Sequence, residues 1–140
     1  QWNKGKTFEN YGEPPAYLLV ADDILGGLFA INGGAFGQEG LGQMYYLAPD
    51  TLSWEPMNCG YSEFVSWTLG GDIHMFYEPF YWDGWQEEVS KLNGNQVFSF
   101  FPFLWTKEGQ QIEAVSRKVV PIEESYRLTM DMQRQLSTKE

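Results

Sequence analysis

Short apolar runs separated by glycine pairs restrict the fold of this chain more than any other feature. Four such runs occupy the first part of the chain, at residues 16–21 (AYLLVA), 28–31 (LFAI), 43–47 (QMYYL) and 51–56 (TLSWEP). Runs of this length suit strands, and Gly26-Gly27 and Gly33-Gly34 allow the positive φ angles that tight turns need. Because such short connections join antiparallel neighbours, we predict a four-stranded meander. The continuous apolar character of the first run predicts a strand that is buried on both faces.

Helical spacing replaces the strand pattern after residue 60. We expect a first helix at 62–69, with Ser62 as its N-cap, and a second helix that Asp72 caps and that runs through Tyr77. A third short helix is expected at 84–92. These elements, together with the meander, predict the α+β class.

The last third of the chain returns to strands and then ends in a helix. The apolar run 97–105 predicts a strand, with Pro102 at an edge or a bulge, and 112–120 predicts the final strand. Pro121 suits the first position of a C-terminal helix. The apolar face of that helix would hold Ile122, Ser125, Leu128, Met132 and Leu136.

The length and composition of the chain predict one folded domain. A chain of 140 residues with 43% hydrophobic and 17% aromatic content can bury a substantial core. We place this domain at residues 16–136, after a polar arm at 1–15 and before a frayed tail at 137–140. Because residue 1 is Gln rather than Met, the chain can be a piece of a longer protein.

The charge balance is acidic, which limits the classes of partner. Nine Lys and Arg against nineteen Asp and Glu give a net charge of −10. A field of this sign repels phosphate backbones and anionic lipids, so we expect neither nucleic-acid nor membrane binding. It favours encounter with a basic protein, although solubility alone would also explain it.

The single cysteine and the absence of a long apolar run indicate a compartment. Cys59 has no second cysteine to pair with, which favours a reducing environment. No apolar run approaches the roughly 20 residues that span a bilayer. We therefore expect a soluble, cytoplasmic protein.

Catalytic and metal-binding patterns are weak. His74 is the only histidine, so sites that need two histidines are excluded, and no cysteine-enzyme signature surrounds Cys59. The pair Asp22-Asp23 resembles carboxylate pairs that bind metals or act in acid–base catalysis. Adjacent residues of a strand point to opposite faces, however, and we expect one of the two to cap the turn that follows. We expect no catalytic residue, metal or cofactor.

An aromatic cluster with neighbouring carboxylates is the most suggestive binding feature. Exposed aromatic rings beside carboxylates serve both as sugar-binding platforms and as hot spots of protein interfaces, while core packing is the commoner use of such rings. The residues of the expected binding surface are Asp22, Asp23, Trp82, Asp83, Trp85 and Glu87.

Three sequence blocks resemble a known family. They are LVADDILGGLFAINGGAFG at 19–37, YYLAPDTLSWEPMNCGYSEFVSWTLGGD at 45–72 and FSFFPFLWTKEG at 98–109. These blocks resemble the domain of unknown function 2625 family, which looks like a branch of the SUKH superfamily of cell-wall regulators and toxin-immunity proteins. The resemblance implies an α+β fold with a central, mostly antiparallel sheet flanked by helices, and no enzymatic activity. Members of that family carry further N-terminal sequence, so this chain can lack the first helices and can self-associate through an exposed edge.

Three functions are therefore open. The leading expectation is a non-enzymatic, SUKH-like protein-binding module that neutralises a basic toxin. The alternative is binding or hydrolysis of a carbohydrate, or binding of another small ligand, in an aromatic cleft that uses Trp82 and Trp85 with Asp83 or Glu87. The third is a structural domain without a specific partner.

Overall fold

A four-stranded antiparallel sheet forms the first half of the chain in the computed structural model, which describes residues 3, 6, 7 and 15–137. Its strands follow one another in sequence order, as predicted. They are β1 (Tyr17–Asp22), β2 (Leu28–Asn32), β3 (Gln43–Ala48) and β4 (Ser53–Gly60). Leu52 has a φ of 55° in the turn before β4, so that strand begins after the predicted position and continues past Pro56.

The two inner strands are the buried ones, so the prediction that the first strand is buried on both faces is wrong. In β1 only Leu19 is buried, because this strand lies at the edge of the sheet. In β2 four of five residues are buried, including Leu28 and Ala30 at 0% exposure. Apolar continuity does not separate an edge strand from a central one.

Two helices follow β4 directly, and one of the two predicted caps is confirmed. Helix α1 (Tyr61–Gly70) begins after Gly60 without a side-chain cap, so Ser62 is not its N-cap. Helix α2 (Ile73–Tyr77) begins with Asp72, whose carboxylate accepts a hydrogen bond from the Met75 N–H. A short 3₁₀ turn, Glu78–Phe80, leads to helix α3 (Trp85–Ser90).

A separate two-stranded hairpin and a long helix complete the described chain. The hairpin consists of β5 (Gln96–Phe101) and β6 (Ser116–Pro121), and helix α4 spans Ile122–Ser137. Both strands are shorter than predicted, because β5 ends at Phe101, before Pro102, and residues 112–114 form a turn that a bend at Val115 follows. Pro121 pairs with Gln96 at the end of β6, so it is not the first helical residue. The α+β class is confirmed, with a second small sheet.

Side chains on the two faces of the meander pack against different helices. On one face, Phe29, Met44 and Tyr46 pack with Phe64 of α1 and with Phe76 of α2. The opposite face, which includes Leu19 and Leu47, packs with Tyr126 and Met130 of α4. A third cluster joins α3 to the hairpin; it contains Leu25, Trp82, Phe98, Phe100, Leu104 and Val115. The sheet is thus flanked by helices, as expected.

Four residues of the expected N-terminal arm are described, namely 3, 6, 7 and 15, and the first three contact the domain. The Asn3 side chain donates to the Leu19 carbonyl and accepts from the Leu19 N–H, both at 2.8 Å. Lys6 pairs with Glu123 at 2.9 Å, and Thr7 is 6% exposed. The rest of the arm, and residues 138–140 of the expected tail, lie outside the described residues. Within the described part, no helix has the length and apolarity that a membrane crossing requires.

Candidate functional site

Asp23 lies just after β1, and its carboxylate forms hydrogen bonds with the β1–β2 turn, with β3 and with α2. One carboxylate oxygen, Oδ1, accepts hydrogen bonds from the Leu25 and Gly27 N–H groups at 3.0 and 2.7 Å. The other, Oδ2, accepts from the Tyr46 hydroxyl of β3 at 2.6 Å and from the Tyr77 hydroxyl of α2 at 2.8 Å. Asp23 is therefore the aspartate that caps the turn, as expected.

The surroundings of Asp23 shift three pKa values upward. Burial raises the pKa of the Asp23 carboxyl, and the four hydrogen bonds that it accepts act in the opposite direction. Burial and the charge of Asp23 raise the pKa of the Tyr46 and Tyr77 hydroxyls, so both remain protonated donors.

A cleft of about 360 Å³ opens beside this carboxylate. It lies between the β1–β2 turn and helices α1 to α3, and its partly buried walls are mainly aromatic. We call it the aromatic cleft; the rings around it include Trp67, Tyr77, Phe80, Tyr81 and Trp85. Its volume is within the ~300–1,000 Å³ range of small-ligand sites.

Two of the walls are held in place by neighbouring side chains. The Tyr81 ring stacks on Trp85 at 4.2 Å between centroids, and its hydroxyl is 2.7 Å from Nδ1 of His74. Tyr77 is held by its bond to Asp23. Contacts within the protein thus hold three of the cleft rings, Tyr77, Tyr81 and Trp85.

Four of the six expected binding residues, Asp22, Asp23, Trp82 and Trp85, contribute atoms to the cleft lining. The pairing of Asp22 with Leu28 places the Asp22 side chain on the face of the sheet that α4 covers, opposite to Asp23. Asp22 keeps much of its surface in contact with solvent, but neighbouring atoms partly desolvate its carboxyl. This desolvation and the charge of Asp23 raise the pKa of the Asp22 carboxyl, while the charge of Lys6 opposes the rise.

Trp82 is buried, so it does not offer a ring face to solvent. It is 3% exposed, and its Nε1–H donates to Glu88 at 2.6 Å. The guanidinium of Arg117 lies over its ring at 4.6 Å and also binds both carboxylate oxygens of Glu88. Core packing, the commoner use of such a ring, is the one that applies to Trp82.

The other two expected residues lie away from the cleft. Asp83 is exposed, and its backbone N–H donates to Glu113 at 2.8 Å. Glu87 is exposed and pairs with Lys91 at 3.4 Å, one turn along the chain. Neither is among the residues that line the cleft.

A second concavity, of about 590 Å³, lies next to the cleft and shares Trp67 with it. Its apolar surface includes Met57, Met75 and Phe76, and three carboxylates surround it. We call it the acid-rimmed groove; the carboxylates are Glu55, Glu63 and Asp72. Met75 is 70% exposed, so the floor is open to a partner.

The rim carboxylates have no cation to neutralise them in the described part of the chain. None of the three takes part in a salt bridge there. Cys59 also lines this groove, and burial together with the charge of Glu63 raises the pKa of its thiol. A raised pKa reduces the reactive thiolate, and His74 lines the other concavity, which does not favour a Cys–His pair.

The sequence carries a signal for this groove in the distribution of its charges along the chain. Residues 7–90 contain thirteen Asp and Glu and no Lys or Arg, so the segment that builds the meander and α1 to α3 has a charge of −13. The remaining residues contain nine Lys and Arg and six Asp and Glu. Summing the charge over the whole chain hides this separation.

No group of three or more His, Cys, Asp and Glu that could hold a metal ion occurs in residues 3, 6, 7 and 15–137. Among the described residues, the acids and bases of the cleft lining are Asp22, Asp23 and His74, and no Lys or Arg belongs to it. Since Asp23 already accepts four hydrogen bonds and Asp22 points to the other face of the sheet, the cleft suits small organic groups.

Comparisons with known proteins add a family and two relatives. A family model described as "Protein of unknown function DUF2625" matches residues 1–125. An uncharacterized protein of Haemophilus influenzae is 44% identical over 125 residues, which are 89% of this chain and 54% of the relative. A "Putative uncharacterized protein YbfG" of Escherichia coli is 46% identical over 115 residues, which are 82% of this chain and 51% of the relative.

The chain thus spans about half the length of the curated relatives that it matches. No solved structure matches it.

Proposed function

Since the chain belongs to the DUF2625 family of proteins of unknown function, we propose a function from its own surfaces: it is a non-enzymatic module that binds a basic protein. The acid-rimmed groove is the binding surface. The relation to the SUKH superfamily, a cytoplasmic location and a toxin as the partner are parts of the same proposal. The two relatives are about twice as long as the segment that matches this chain, so what a whole family member binds is also part of the proposal.

One observation carries the proposal. Glu55, Glu63 and Asp72 surround an apolar floor, and no salt bridge in the described part of the chain neutralises any of them. A Lys or Arg side chain of a partner would meet three carboxylates and place its carbon stem on the apolar floor. The Met57 and Met75 side chains can adapt to the shape of that stem.

The charge of the segment favours the same class of partner. A segment of −13 that contains no Lys or Arg attracts a basic surface and repels an acidic one over several ångströms. Added salt weakens such an attraction because it screens exposed charges.

Affinity capture from a bacterial lysate tests this with three tagged proteins: the natural chain, Glu55→Gln/Glu63→Gln, and Glu39→Gln/Glu108→Gln. The last pair removes the same charge at exposed positions outside the groove. Asp72 is left unchanged because it caps α2. We expect a basic protein on the natural chain and on the control, released by moderate salt, and little of it on the groove variant.

Capture of the same protein by all three would exclude the groove as its binding surface. Capture of only acidic or neutral proteins would exclude a basic protein as the partner.

The toxin proposal requires a further test. Expressed alone, the captured protein should stop growth, and co-expression of this chain should restore it. A captured protein without any effect on growth would contradict that part.

Small-ligand binding remains a second candidate because of the aromatic cleft. A sugar platform built on Trp82 is not supported, since that ring is 3% exposed. The cleft itself is lined by half-buried rings that are accessible, including Tyr81 and Trp85.

A further inference from the structure

In the described part of the chain, three of the four outer edges of the two sheets are covered or interrupted. At the edge of β1, the side-chain amide of Asn3 bonds to both backbone groups of Leu19, as a neighbouring strand would. In β4, Pro56 has no N–H to donate, and Asn58, with a φ of 59°, lies in a break of the strand register. Natural sheets use such features to prevent a further strand from pairing.

The edge of β5 is the third of these, and its hydrogen bonds also fix the direction of the backbone groups in β6. The Phe98 N–H donates to the Ile24 carbonyl, outside the hairpin, at 2.7 Å. Phe98 is paired with Val119 of β6. In an antiparallel ladder, the backbone groups of two opposite residues point either towards each other or both outward. The N–H and C=O of Val119, and those of Arg117 two residues earlier, therefore point out from the free side of β6.

The outer edge of β6 is open. Among residues 3, 6, 7 and 15–137, no strand pairs with this side of β6, and no group accepts a hydrogen bond from the N–H of Arg117 or Val119. Val119 is 47% exposed, and Lys118, between the two, is exposed as well. Four backbone groups along one edge are therefore available to an extended chain.

Lys118 determines which kind of strand suits this edge. It forms no salt bridge within the described part of the chain. Charges of unlike sign that lie directly opposite each other stabilise a strand pair, and like charges destabilise it. If β6 of a second copy paired here, the two-fold symmetry would place Lys118 directly or diagonally opposite its own copy. A strand with a carboxylate opposite Lys118 is therefore favoured over a second copy.

We propose that the outer edge of β6 binds an extended segment of a partner protein as an added antiparallel strand. The segment bonds to the backbone groups of Arg117 and Val119, and it carries an apolar residue opposite Val119 followed by an acidic residue opposite Lys118. Arg117 does not compete for that acid, because its guanidinium already binds both carboxylate oxygens of Glu88. The edge lies outside the acid-rimmed groove, so this proposal goes beyond the function proposed above.

NMR titration of the isotope-labelled chain with two short peptides tests the charge preference. The probe is acetyl-Thr-Thr-Ile-Glu-Thr-Thr-amide, and its counterpart has Lys in place of Glu. Since the Lys peptide can also bind the acid-rimmed groove, binding is followed at the amides of Arg117 and Val119. There we expect the Glu peptide to bind at least about threefold more tightly and to slow hydrogen exchange about tenfold or more. Equal affinity, or no change of these amides at ~5 mM Glu peptide, would overturn the proposal.

N-methylated peptides separate strand pairing from side-chain contacts. N-methylation of the Ile removes the N–H that donates to the Val119 carbonyl, so it should abolish binding. N-methylation of the Glu removes an N–H that points away from β6, so affinity should stay within about twofold. Equal effects of the two methyl groups would show that the backbone does not pair, and would refute an added strand.

Variants of the chain test the role of Lys118. Lys118→Glu should reverse the preference for the Glu peptide at the Val119 amide. Lys107→Glu makes the same change of charge at an exposed position outside β6, and it should preserve the preference. If the two variants behave alike, the peptides respond only to net charge, and the assignment to Lys118 is wrong.

Two further outcomes separate this proposal from its neighbours. The groove variant Glu55→Gln/Glu63→Gln should bind the Glu peptide like the natural chain, because neither residue belongs to β6. A failed partner capture with intact peptide binding would therefore refute only the groove. A dimer of the natural chain in which the Val119 amide is protected without peptide would assign the edge to a second copy and overturn the proposal.

Discussion

Removal of the two hydroxyls that bind Asp23 should destabilise the domain in a non-additive way. Tyr46 and Tyr77 donate to the same oxygen, Oδ2, from β3 and from α2. The perturbation is Tyr46→Phe, Tyr77→Phe and the double variant, each of which removes a hydroxyl and keeps the ring. The rings continue to pack in the clusters beside the sheet.

The magnitude follows from the charge of the acceptor. A hydrogen bond to a charged group contributes about 1.5–3 kcal/mol, so each single variant should lower the free energy of unfolding by that amount. After one loss, Oδ2 keeps its other donor; after both, it has neither, and the cost should exceed the sum of the singles by about 0.5–3 kcal/mol.

Urea unfolding followed by tryptophan fluorescence measures these differences at neutral pH. Tyr61→Phe is the matched control: Tyr61 is 48% exposed, and its loss of a hydroxyl should change stability by less than ~0.5 kcal/mol. If both single variants match this control, water rather than tyrosine satisfies Oδ2, and the reasoning fails.

The pH dependence has a definite sign. The Tyr77 hydrogen bond lowers the pKa of Asp23, so Tyr77→Phe raises that pKa in the folded state. The extra cost therefore exists only where Asp23 is ionised, and it should shrink as pH falls through the pKa of Asp23 in the folded state, which lies above its usual 3.8. A cost that is constant from neutral to acidic pH would contradict this.

Three further changes test other parts of the structure. Arg117 lowers the pKa of Glu88, so the stabilising effect of Glu88 relative to Glu88→Gln should be present above 4.5 and lost as pH falls through the lowered value; a pH-independent difference in urea midpoint would refute it. Asn3→Ala should expose the edge of β1 and promote self-association, visible as concentration-dependent sedimentation; a strictly monomeric variant would argue against that edge. Gly109→Ala should destabilise the domain by ~1–3 kcal/mol, since an added Cβ would lie 1.8 Å from the Phe103 carbonyl oxygen, whereas Gly94→Ala should have little effect because that position is open.

The meander was predictable because its signals are local. Glycine at 26 and 34 adopts φ angles of 86° and 127°, and the chain reverses at these turns as expected. The Asp72 cap and the turn-capping role of Asp23 also depend on neighbours two to four residues away. Interactions of this range are visible in a short stretch of sequence.

The features that the sequence did not reveal depend on distant partners. Arg117 covers Trp82 and binds Glu88, 29 residues before it, so no local pattern shows that this tryptophan is buried. The position of β1 at the edge of the sheet follows from the order of all four strands. Tyr77 reaches Asp23 across 54 residues, and this contact helps to place the cleft wall.

The acid-rimmed groove was predictable from the sequence only in part. Its carboxylates come from β4, α1 and the start of α2, which only the fold brings together. The lack of Lys and Arg from residue 7 to residue 90, however, is legible in the sequence. Charge counted by segment would have pointed to this surface.

The separation of charges also determines which chemical probes can reach these surfaces. Trypsin cleaves after Lys and Arg, so residues 7–91 leave the digest as one long fragment that peptide mapping covers poorly. Lysine-directed cross-linkers find no amine on the meander or on α1 to α3. Carbodiimide coupling joins carboxylates to amines, so every link from this segment to a partner must run from an acid here to a lysine there. A carbodiimide link that involves residues 7–90 would therefore identify the carboxylate as coming from this chain and the amine as coming from the partner.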